Sequence, residues 1–324
     1  MKKTNFIPNG RFYKGNIHCH STRSDGCLPP KGVVEAYRGK GYHFIAFTEH
    51  NLYSDFSEFN GDDFITIQSV EASPAMPDGE IRAYHFIALP GGQELIRKAS
   101  LPMYRHGDET PGEPFSSFDD LQDFIDNFHN RGYMVMINHP FWSRIEYEQI
   151  LPLKNLFALE IYNFCSGITE NMAESNVCYD ALLRNDMRLW CVAVDDNHNM
   201  FPLSGARRDS FGGFIQVKAE SLCEGDICDA IARGSFYSST GPEIHDFYLD
   251  GSTVHFSCSP AARIYISGDV RQVLSAVAED SEHLLTGLEG KISGYEKYVR
   301  AECYDANGKK AYTNPIFLSG GEDV

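Results

Sequence analysis

Short apolar runs alternate with amphipathic runs along residues 15–240. The apolar runs have the length and residue types of buried strands, and they cover residues 16–20, 44–48, 64–70, 83–89, 133–138, 158–162, 189–194 and 213–217. Stretches with helical spacing lie between several of them, at residues 30–40, 117–130, 170–185 and 221–233. This alternation predicts an α/β domain built on a parallel barrel or a doubly wound sheet.

The pattern changes after Gly241-Pro242, where apolar and polar residues alternate one by one. Asp250-Gly251 and Asn307-Gly308 are hairpin signals between such runs. The predicted strands of this part are residues 243–250, 252–259, 263–267, 297–305 and 312–318. We therefore expect two domains, an α/β barrel domain over residues 1–241 and a small antiparallel β-sandwich over residues 242–324.

Charge and cysteine content narrow the class of protein. The 324 residues include 28 Lys and Arg against 45 Asp and Glu, a net charge of −17, which argues against an extended nucleic-acid partner. The nine cysteines contain no C-x-x-C pair, so neither a disulfide framework nor a thiolate zinc site is expected. No signal peptide or long apolar span is evident. We expect a cytoplasmic protein that does not enter a membrane.

Histidines and carboxylates stand at the carboxyl ends of the predicted strands. His18 and His20 close the first strand, and because side chains alternate along a strand, both imidazoles face one side. Further histidines and carboxylates lie just after the first strand and at or within the later strands. They are Asp25, Glu49, His50, Glu71, His85, His139, Asp195, Asp196 and His198. The carboxyl ends of barrel strands are where this type of fold carries its chemistry.

The coincidence of these residues predicts a metal cluster. A lone histidine such as His106 is ordinarily a surface residue, and His85 by itself would be interpreted as a core histidine. Six of the twelve histidines, however, fall at or within predicted strands. Burying so many ionisable groups without a counter-charge costs several kcal/mol each, and bound cations remove that cost. The mixture of imidazole and carboxylate suits zinc, manganese or iron.

In their order along the chain these residues resemble the polymerase and histidinol phosphatase (PHP) superfamily of metal-dependent phosphoesterases. The matching motifs are His18-x-His20, Ser24-Asp25-Gly26, Thr48-Glu49-His50-Asn51, Glu71, Asn138-His139-Pro140 and Asp196-x-His198. Segments 234–242 and 312–316 resemble a subgroup in which a C-terminal β domain follows. The resemblance implies a distorted seven-stranded (β/α) TIM-like barrel with two or three divalent transition metals. It also implies three ligand sets: His18, His20, Glu71 and Asp196; Glu71, His85 and His139; and Asp25, His50 and His198.

Two positions depart from the family pattern. Many members have Asp where this chain has Glu49. Either Glu49 orients the ring of His50 without binding metal itself, or the third ligand set is perturbed. Many members have Gly-Ser before the last ligand pair, whereas this chain has Val194 and Asp195. The D-x-H spacing makes Asp196 the ligand and leaves Asp195 as a candidate for a supporting role.

The function implied by the resemblance is hydrolysis of a small-molecule phosphate ester, such as a nucleotide, sugar or amino-alcohol phosphate. Two cations sharing Glu71 would hold a bridging hydroxide that attacks phosphorus, with Glu71, Asp196 and His198 as the catalytic residues. Guanidinium groups in loops beside the motifs are candidates for binding the substrate's phosphate or carboxylate: Arg23, Arg144, Arg207 and Arg208.

Two other functions stay open at this point. The same site would also serve hydrolysis of a carboxylic or carbamate ester, since a metal-held hydroxide also attacks acyl carbon. The third hypothesis is a catalytically silent, metal-bound binding module whose β domain docks a partner protein of unknown identity. The many costly polar ligands argue against it, because a silent module has no physical reason to keep them.

Overall fold

The computed structural model describes residues 2–111, 114–271 and 274–318. Within these ranges the helices are α1 (Pro30–Arg38), α2 (Gln93–Lys98), α3 (Phe118–Asn130), α4 (Pro140–Ser143), α5 (Tyr147–Ile150), α6 (Phe164–Glu170), α7 (Asn176–Arg184) and α8 (Glu224–Ala232), with one 3₁₀ turn at Ser57–Phe59. None of the helices in these ranges is long and apolar enough to cross a membrane. The outer ends of both predicted domains, residue 1 and residues 319–324, lie outside the described residues, and the cytoplasmic location stays a prediction.

Strands outnumber helices in the described chain. Up to residue 241 they are β1 (Lys2–Lys3), β2 (Arg11–Asn16), β3 (Phe44–Phe47), β4 (Ile65–Gln68), β5 (Val70–Ala72), β6 (Phe86–Pro90), β7 (Tyr133–Ile137), β8 (Leu156–Asn163), β9 (Trp190–Val194), β10 (Phe214–Ala219) and β11 (Phe236–Ser239). Beyond it they are β12 (Ile244–Asp250), β13 (Thr253–Ala261), β14 (Arg263–Gly268), β15 (Leu274–Val277), β16 (Leu285–Lys291), β17 (Tyr298–Tyr304), β18 (Lys310–Thr313) and β19 (Ile316–Phe317). The predicted mixed α/β class is confirmed.

The described strands form three sheets. One has the order β5-β6-β7-β8-β9, and a second runs β15-β14-β17-β18-β11-β10-β2-β3-β4 with β19 added on β17. The third, β1-β12-β13-β16, is antiparallel throughout. Parallel pairing occurs in β2-β3-β4 and in β7-β8-β9, but β6 is antiparallel to both neighbours. The expected all-parallel pairing is therefore wrong for β6, which a loop without a helix joins to β5. It is also wrong for β10, which is antiparallel to both β2 and β11.

Helices α1, α3 and α8 lie within the predicted amphipathic stretches, whereas α2, α4, α5 and most of α6 lie outside every predicted stretch. Helix α3 begins at a capping box between Ser117 and Asp120 and buries Leu121, Phe124, Ile125 and Phe128. The predicted helix over residues 170–185 is wrong at its start. Asn171 adopts a left-handed conformation with φ 59° that ends α6, and α7 begins only at Asn176.

Two isolated backbone bridges join the first two sheets at the end where the metal motifs lie. His50 bridges Glu71, and Cys19 bridges Asn197, both in parallel orientation. The His20 amide donates to the Asn197 carbonyl at 3.1 Å, and the Asn51 amide donates to the Glu71 carbonyl at 2.7 Å. The extensions of β2, β3, β5 and β9 consequently meet at one place.

The C-terminal strands surround a separate apolar core. It includes Phe247 and Phe256 from the third sheet and Ile264, Val299 and Ala301 from the second sheet. The second sheet, however, continues across the predicted boundary at residue 241, because β18 pairs with β11. The division into two domains therefore stays a prediction, and the structure shows a shared sheet at the junction.

Asn314 provides a test of that junction. Its buried side chain accepts from the Cys191 amide at 3.0 Å and donates to the carbonyls of Gly234 and Phe236, each at 3.1 Å. Asn314→Ala should lower the free energy of unfolding by about 3 kcal/mol, since three buried hydrogen bonds are lost at about 1 kcal/mol each. Urea denaturation measures the change, with the exposed Asn130→Ala as control. Equal, small effects of both changes would show that the junction is not coupled to the α/β part.

Candidate metal centre

Four side chains from strand ends converge on one point: His18, His20, Glu71 and Asp196. Nε2 of His18 lies 3.1 Å from Nε2 of His20, 3.2 Å from Oε2 of Glu71 and 3.0 Å from Oδ1 of Asp196. Nε2 of His20 lies 3.2 Å and 3.1 Å from the same two oxygens. A tetrahedron with such edges has its centre about 1.9 Å from each corner, close to the bond lengths of zinc to nitrogen and oxygen.

A buried oxygen without a hydrogen-bond partner supports a cation at this point. Oε2 of Glu71, one of the converging atoms, is buried and makes no hydrogen bond in the described chain. An unsatisfied buried oxygen costs about 1–3 kcal/mol, and more when it is charged. A metal ion at the point of convergence would satisfy the oxygen and the facing ring nitrogens together. The residues present therefore fit a divalent transition metal.

The same four side chains require positive charge to balance their carboxylates. Burial opposes protonation of His18, but the charges of Asp196 and Glu71 outweigh it and hold the pKa of His18 well above its usual value. Although burial favours the neutral acids, the neighbouring histidines hold the pKa values of Glu71 and Asp196 well below their usual range. Both carboxylates are consequently ionised at neutral pH, and either protons or a metal must balance them.

The third predicted ligand set also comes together. Oδ2 of Asp25 lies 3.4 Å from Nε2 of His50 and 3.3 Å from Nε2 of His198, and His20 joins the group. The Asp25 side chain is 52% exposed, whereas those of His18 and His20 are fully buried. This group is therefore the open side of the centre, where a substrate would enter.

The second predicted set is arranged differently in detail. Nδ1 of His85 lies 3.0 Å from Oε1 of Glu71, and Nε2 of His139 lies 3.5 Å from the same oxygen. The ligand atoms that lie mutually close here are those of His50, Glu71 and His85, so His50 belongs to two of the three groups and His139 to none. All nine predicted ligands are nevertheless gathered around Glu71 and Asp25.

Unusual backbone conformations turn several of these side chains inward. Asn51, His139 and Asp196 have positive φ values of 55°, 27° and 55° although none is glycine. Each lies just after a strand of the site, namely β3, β7 and β9. Such conformations are costly and persist where the surrounding structure imposes them, which is typical of functional sites.

Sequence reasoning missed Glu160, a buried carboxylate in β8. Its Oε1 lies 2.6 Å from Nδ1 of His18, while its Oε2 accepts from the His139 amide at 2.9 Å and from the Asn163 side chain at 2.9 Å. Glu160 thereby holds the His18 ring with Nε2 directed at the metal point. The available signal was a charged residue within an otherwise apolar strand.

Two buried amides hold the carboxylate ligands in the same way. Asn138 donates to Oε1 of Glu71 at 2.8 Å, and Asn163 donates to Oδ2 of Asp196 at 3.1 Å. Asn138 belongs to a motif noted in the sequence, but Asn163 was missed. These bonds leave Oε2 of Glu71 and Oδ1 of Asp196 directed at the histidines.

Glu49 and Asp195 lie outside the cluster and support loops. Glu49 accepts from the Ser21 hydroxyl at 2.5 Å and the Ser24 hydroxyl at 2.7 Å, which braces the loop carrying Asp25 rather than the ring of His50. Asp195 accepts from the Tyr37 hydroxyl and from the amides of residues 211–213, at 2.7–2.8 Å. Burial outweighs these bonds and raises the pKa of Asp195 to about 6. Asp196, not Asp195, lies with the histidines.

A hollow of about 260 Å³ opens over the cluster, and none of the described residues lining it is an arginine. Arg23 lines a neighbouring hollow of about 500 Å³ that shares His50. Arg144 and Arg207 lie over the rings of Phe141 and Phe201, at 5.5 Å and 3.8 Å. Arg208 lines a different cleft. Of the four predicted substrate-binding arginines, Arg23 thus lines a hollow that shares His50 with the metal centre, and the other three line neither that hollow nor the one over the cluster.

Several solved structures are similar to this chain at low identity. A two-domain protein from Bacteroides vulgatus containing a predicted PHP-like metal-dependent phosphoesterase is 14% identical, with 96% of this chain and 97% of that chain covered and a TM-score of 0.48. A protein from Bifidobacterium adolescentis, proposed to be a metal-dependent phosphoesterase, is 14% identical over 60% and 88%, with a TM-score of 0.37. An amidohydrolase from Chromobacterium violaceum, with bound sulfate and no metal, is 13% identical over 57% and 87%, with a TM-score of 0.38.

All three TM-scores lie below 0.5, so these similarities carry no evidence on the function of this chain. No family model matches the sequence, and no curated protein matches it.

Glu160→Gln tests the support of His18. Glutamine keeps the size but replaces one carboxylate oxygen by an NH₂ group and removes the charge, so it cannot accept both from the His18 ring and from the His139 amide and Asn163 side chain. We expect metal affinity to fall about 10–100-fold while the fold persists. Competition with a coloured chelator measures the affinity, and Glu289→Gln on the exposed face of β16 is the matched control. Unchanged affinity for Glu160→Gln would rule out this positioning role.

Proposed function

We propose that this protein is a metal-dependent hydrolase of a small-molecule phosphate ester. The observation that carries the proposal is the convergence of two imidazoles and two carboxylates on one point, with a buried Glu71 oxygen that lacks a hydrogen-bond donor. Two or three divalent cations, with zinc, manganese and iron as candidates, would lower the pKa of a coordinated water and neutralise phosphoryl oxygens.

Glu71 has the position of a bridging ligand. Its Oε2 faces His18 and His20 at 3.2 Å, and its Oε1 faces His85 at 3.0 Å. The two oxygens thus serve different groups of histidines, which would hold two cations at a fixed separation. Asp196 completes the inner group, and His198 with Asp25 forms the outer group toward solvent. Glu71, Asp196 and His198 are accordingly the residues we assign to catalysis.

The charge balance of the centre favours an anionic substrate. The carboxylates of Asp25, Glu71 and Asp196 bring three negative charges, and the facing imidazoles are neutral when they bind metal. The buried carboxylate of Glu160 behind His18 adds a fourth negative charge. Three divalent cations bring six positive charges and leave the loaded centre positive, whereas two bring four and only balance the carboxylates. A phosphate ester dianion gains from that charge, whereas a neutral carboxylic or carbamate ester does not. This contrast is why we favour phosphorus over acyl carbon.

The shape of the site agrees with a small substrate. The hollow over the metal ligands has one aromatic wall, where Trp142 packs edge-on against His139 with ring centroids 4.9 Å apart. It adjoins the hollow of Arg23, whose guanidinium can grip a further anionic group. The leaving group would extend into this second hollow. A nucleotide, sugar or amino-alcohol phosphate remains the proposed substrate class.

We also propose the finer architecture that the motifs imply. The sheet orders β2-β3-β4 and β5-β6-β7-β8-β9, together with the bridges Cys19–Asn197 and His50–Glu71, support closure into a distorted barrel. The barrel has seven strands when β4 and β5, which only Ser69 separates, are counted as one. The separate core of the C-terminal strands supports a β-sandwich domain beginning near residue 242. A cytoplasmic setting and the absence of nucleic-acid and membrane partners belong to the same proposal.

The first experiment combines metal content with substrate chemistry. Protein purified without chelator should hold two or three transition-metal ions per chain and should hydrolyse phosphate esters in preference to acyl esters in a chromogenic panel. His18→Ala combined with His20→Ala should remove most of the metal and the activity, while His106→Ala, an exposed histidine that accepts from the Asp55 amide, should be near neutral. Active protein with one ion or none, or preferential acyl hydrolysis, would contradict the proposal.

Glu71→Gln tests the bridge directly. Removing the charge while keeping the size should release at least one metal and lower turnover by at least about 100-fold, because the cations lose the ligand that offsets their repulsion. The fold should persist.

Asp195→Asn is the contrasting variant. It should keep the metals but lower the free energy of unfolding by about 1–3 kcal/mol, since an amide NH₂ would face backbone donors. Metal stoichiometry, turnover and denaturation are measured side by side. Metal loss in Asp195→Asn alone would reverse the assignment.

A further inference from the structure

A second cleft has the opposite charge to the protein as a whole. It holds about 230 Å³ and is lined by the end of β8, the loop before β10 and the turn between β17 and β18. Its aromatic and charged lining side chains are Tyr162, Phe164, Glu174, Arg208, Lys309 and Lys310. None of the described residues lining it also lines the hollow over the metal ligands.

The strand register places this cleft at the metal-bearing end of the molecule. Ser239 pairs with both Phe214 and Ala311, so the turn between β17 and β18 lies where β10 begins. Strand β10 is antiparallel to β2, with Ile215 opposite Gly15, and β2 runs from there to His18. The C-terminal hairpin therefore carries Lys309 and Lys310 to the end of the sheet that presents the metal ligands.

The cleft and the metal centre share a wall. Along residues 162–165 side chains alternate between the two sides: Asn163 donates to Asp196, and Cys165 lines the metal hollow. Tyr162 and Phe164 line the cleft instead. A molecule in the cleft would contact the segment that holds a predicted metal ligand without touching the ligands themselves.

Two of the cations in the cleft have hydrogen-bond donors that are not used within the described chain. Lys310 is held by both oxygens of Glu174, at 2.5 Å and 2.6 Å. The guanidinium of Arg208 makes a single hydrogen bond within the described chain, to the Gly205 carbonyl at 3.0 Å, and the ammonium of Lys309 makes none there. Three cations and one carboxylate leave the cleft positive in a protein of net charge −17. A guanidinium fork and an ammonium are suited to a phosphate group.

An aromatic wall completes the cleft. The Phe164 ring lies against Gly212, where any side chain would overlap with the ring. Tyr162 forms the neighbouring surface. A flat apolar group gains from contact with such rings, whereas an inorganic ion does not.

We propose that this cleft binds an organic phosphate, with the phosphate between Arg208 and Lys309 and a ring against Phe164. The site is separate from the metal centre and does not depend on its occupation. The C-terminal hairpin would then serve to close an anion site beside the catalytic end. Glu174 would limit the affinity, because it neutralises Lys310.

Calorimetric titration of the full-length chain with phenylphosphonate tests the proposal, since the carbon–phosphorus bond of this probe is not hydrolysed. Binding is measured on protein as purified and again after chelation. We expect a site that persists after chelation, is weaker for inorganic phosphate and benzoate, and loses about tenfold in affinity in Arg208→Gln and in Lys309→Gln. Glu174→Gln should bind more tightly, because Lys310 is released from its carboxylate.

Matched controls separate a built site from general attraction. Arg207→Gln removes the same charge one residue away, where the guanidinium lies over Phe201, and should leave affinity unchanged within about twofold. Glu148→Gln, an exposed carboxylate outside the cleft, is the control for Glu174→Gln. Hydrogen exchange should show protection of residues 205–212 and 305–310 by the probe. Loss of binding on chelation, equal weakening by Arg207→Gln, or protection confined to residues 18–25 would overturn the proposal.

Discussion

The rest of the site depends on one buried charge, the carboxylate of Glu71. Its side chain is 1% exposed, and it faces histidines from four strand ends besides the amide of Asn138. A carboxylate in that position is tolerable only when positive charge surrounds it. The extensions of β2, β3, β6 and β7 supply the imidazoles, and the Oε2 atom, which makes no hydrogen bond in the described chain, leaves a place for a cation. The arrangement of the strands and the chemistry of the centre are thus two aspects of the same charge balance.

A second layer of polar groups keeps the ligands in place. Glu160 orients His18, Asn163 orients Asp196, and Asn138 orients Glu71. Farther out, Asp195 and Glu49 fasten the loops that follow β9 and β2. Each of these groups is buried, and each has hydrogen-bond partners. Rigid strands with braced loops give a centre whose ligand atoms are already close together before any metal arrives, which reduces the cost of binding.

The C-terminal strands are joined to the α/β part by more than the chain. Strand β18 extends the second sheet through β11, and Asn314 bonds to β9 and to the turn before β11. The same hairpin reaches the metal-bearing end with two lysines. In the sequence the C-terminal region appears only as a change of pattern. In the structure it stabilises the junction with the α/β part and forms a surface beside the metal centre.

The sequence by itself determined the ligand types, their strand-end positions and the mixed α/β class. These features follow from local patterns, because side chains alternate along a strand and continuous apolar runs are typical of buried strands. Helix α3 followed from its apolar spacing, and the D-x-H spacing of the family motif selected Asp196 over Asp195. Tertiary structure decided what depends on contacts between distant residues. Four features depend on such contacts: the antiparallel pairing of β6, the unpredicted strands β15 and β16, the hydrogen bonding of His18 by Glu160, and the separation of the four arginines. Each depends on which surfaces pack together, and a linear pattern of residues does not encode that packing.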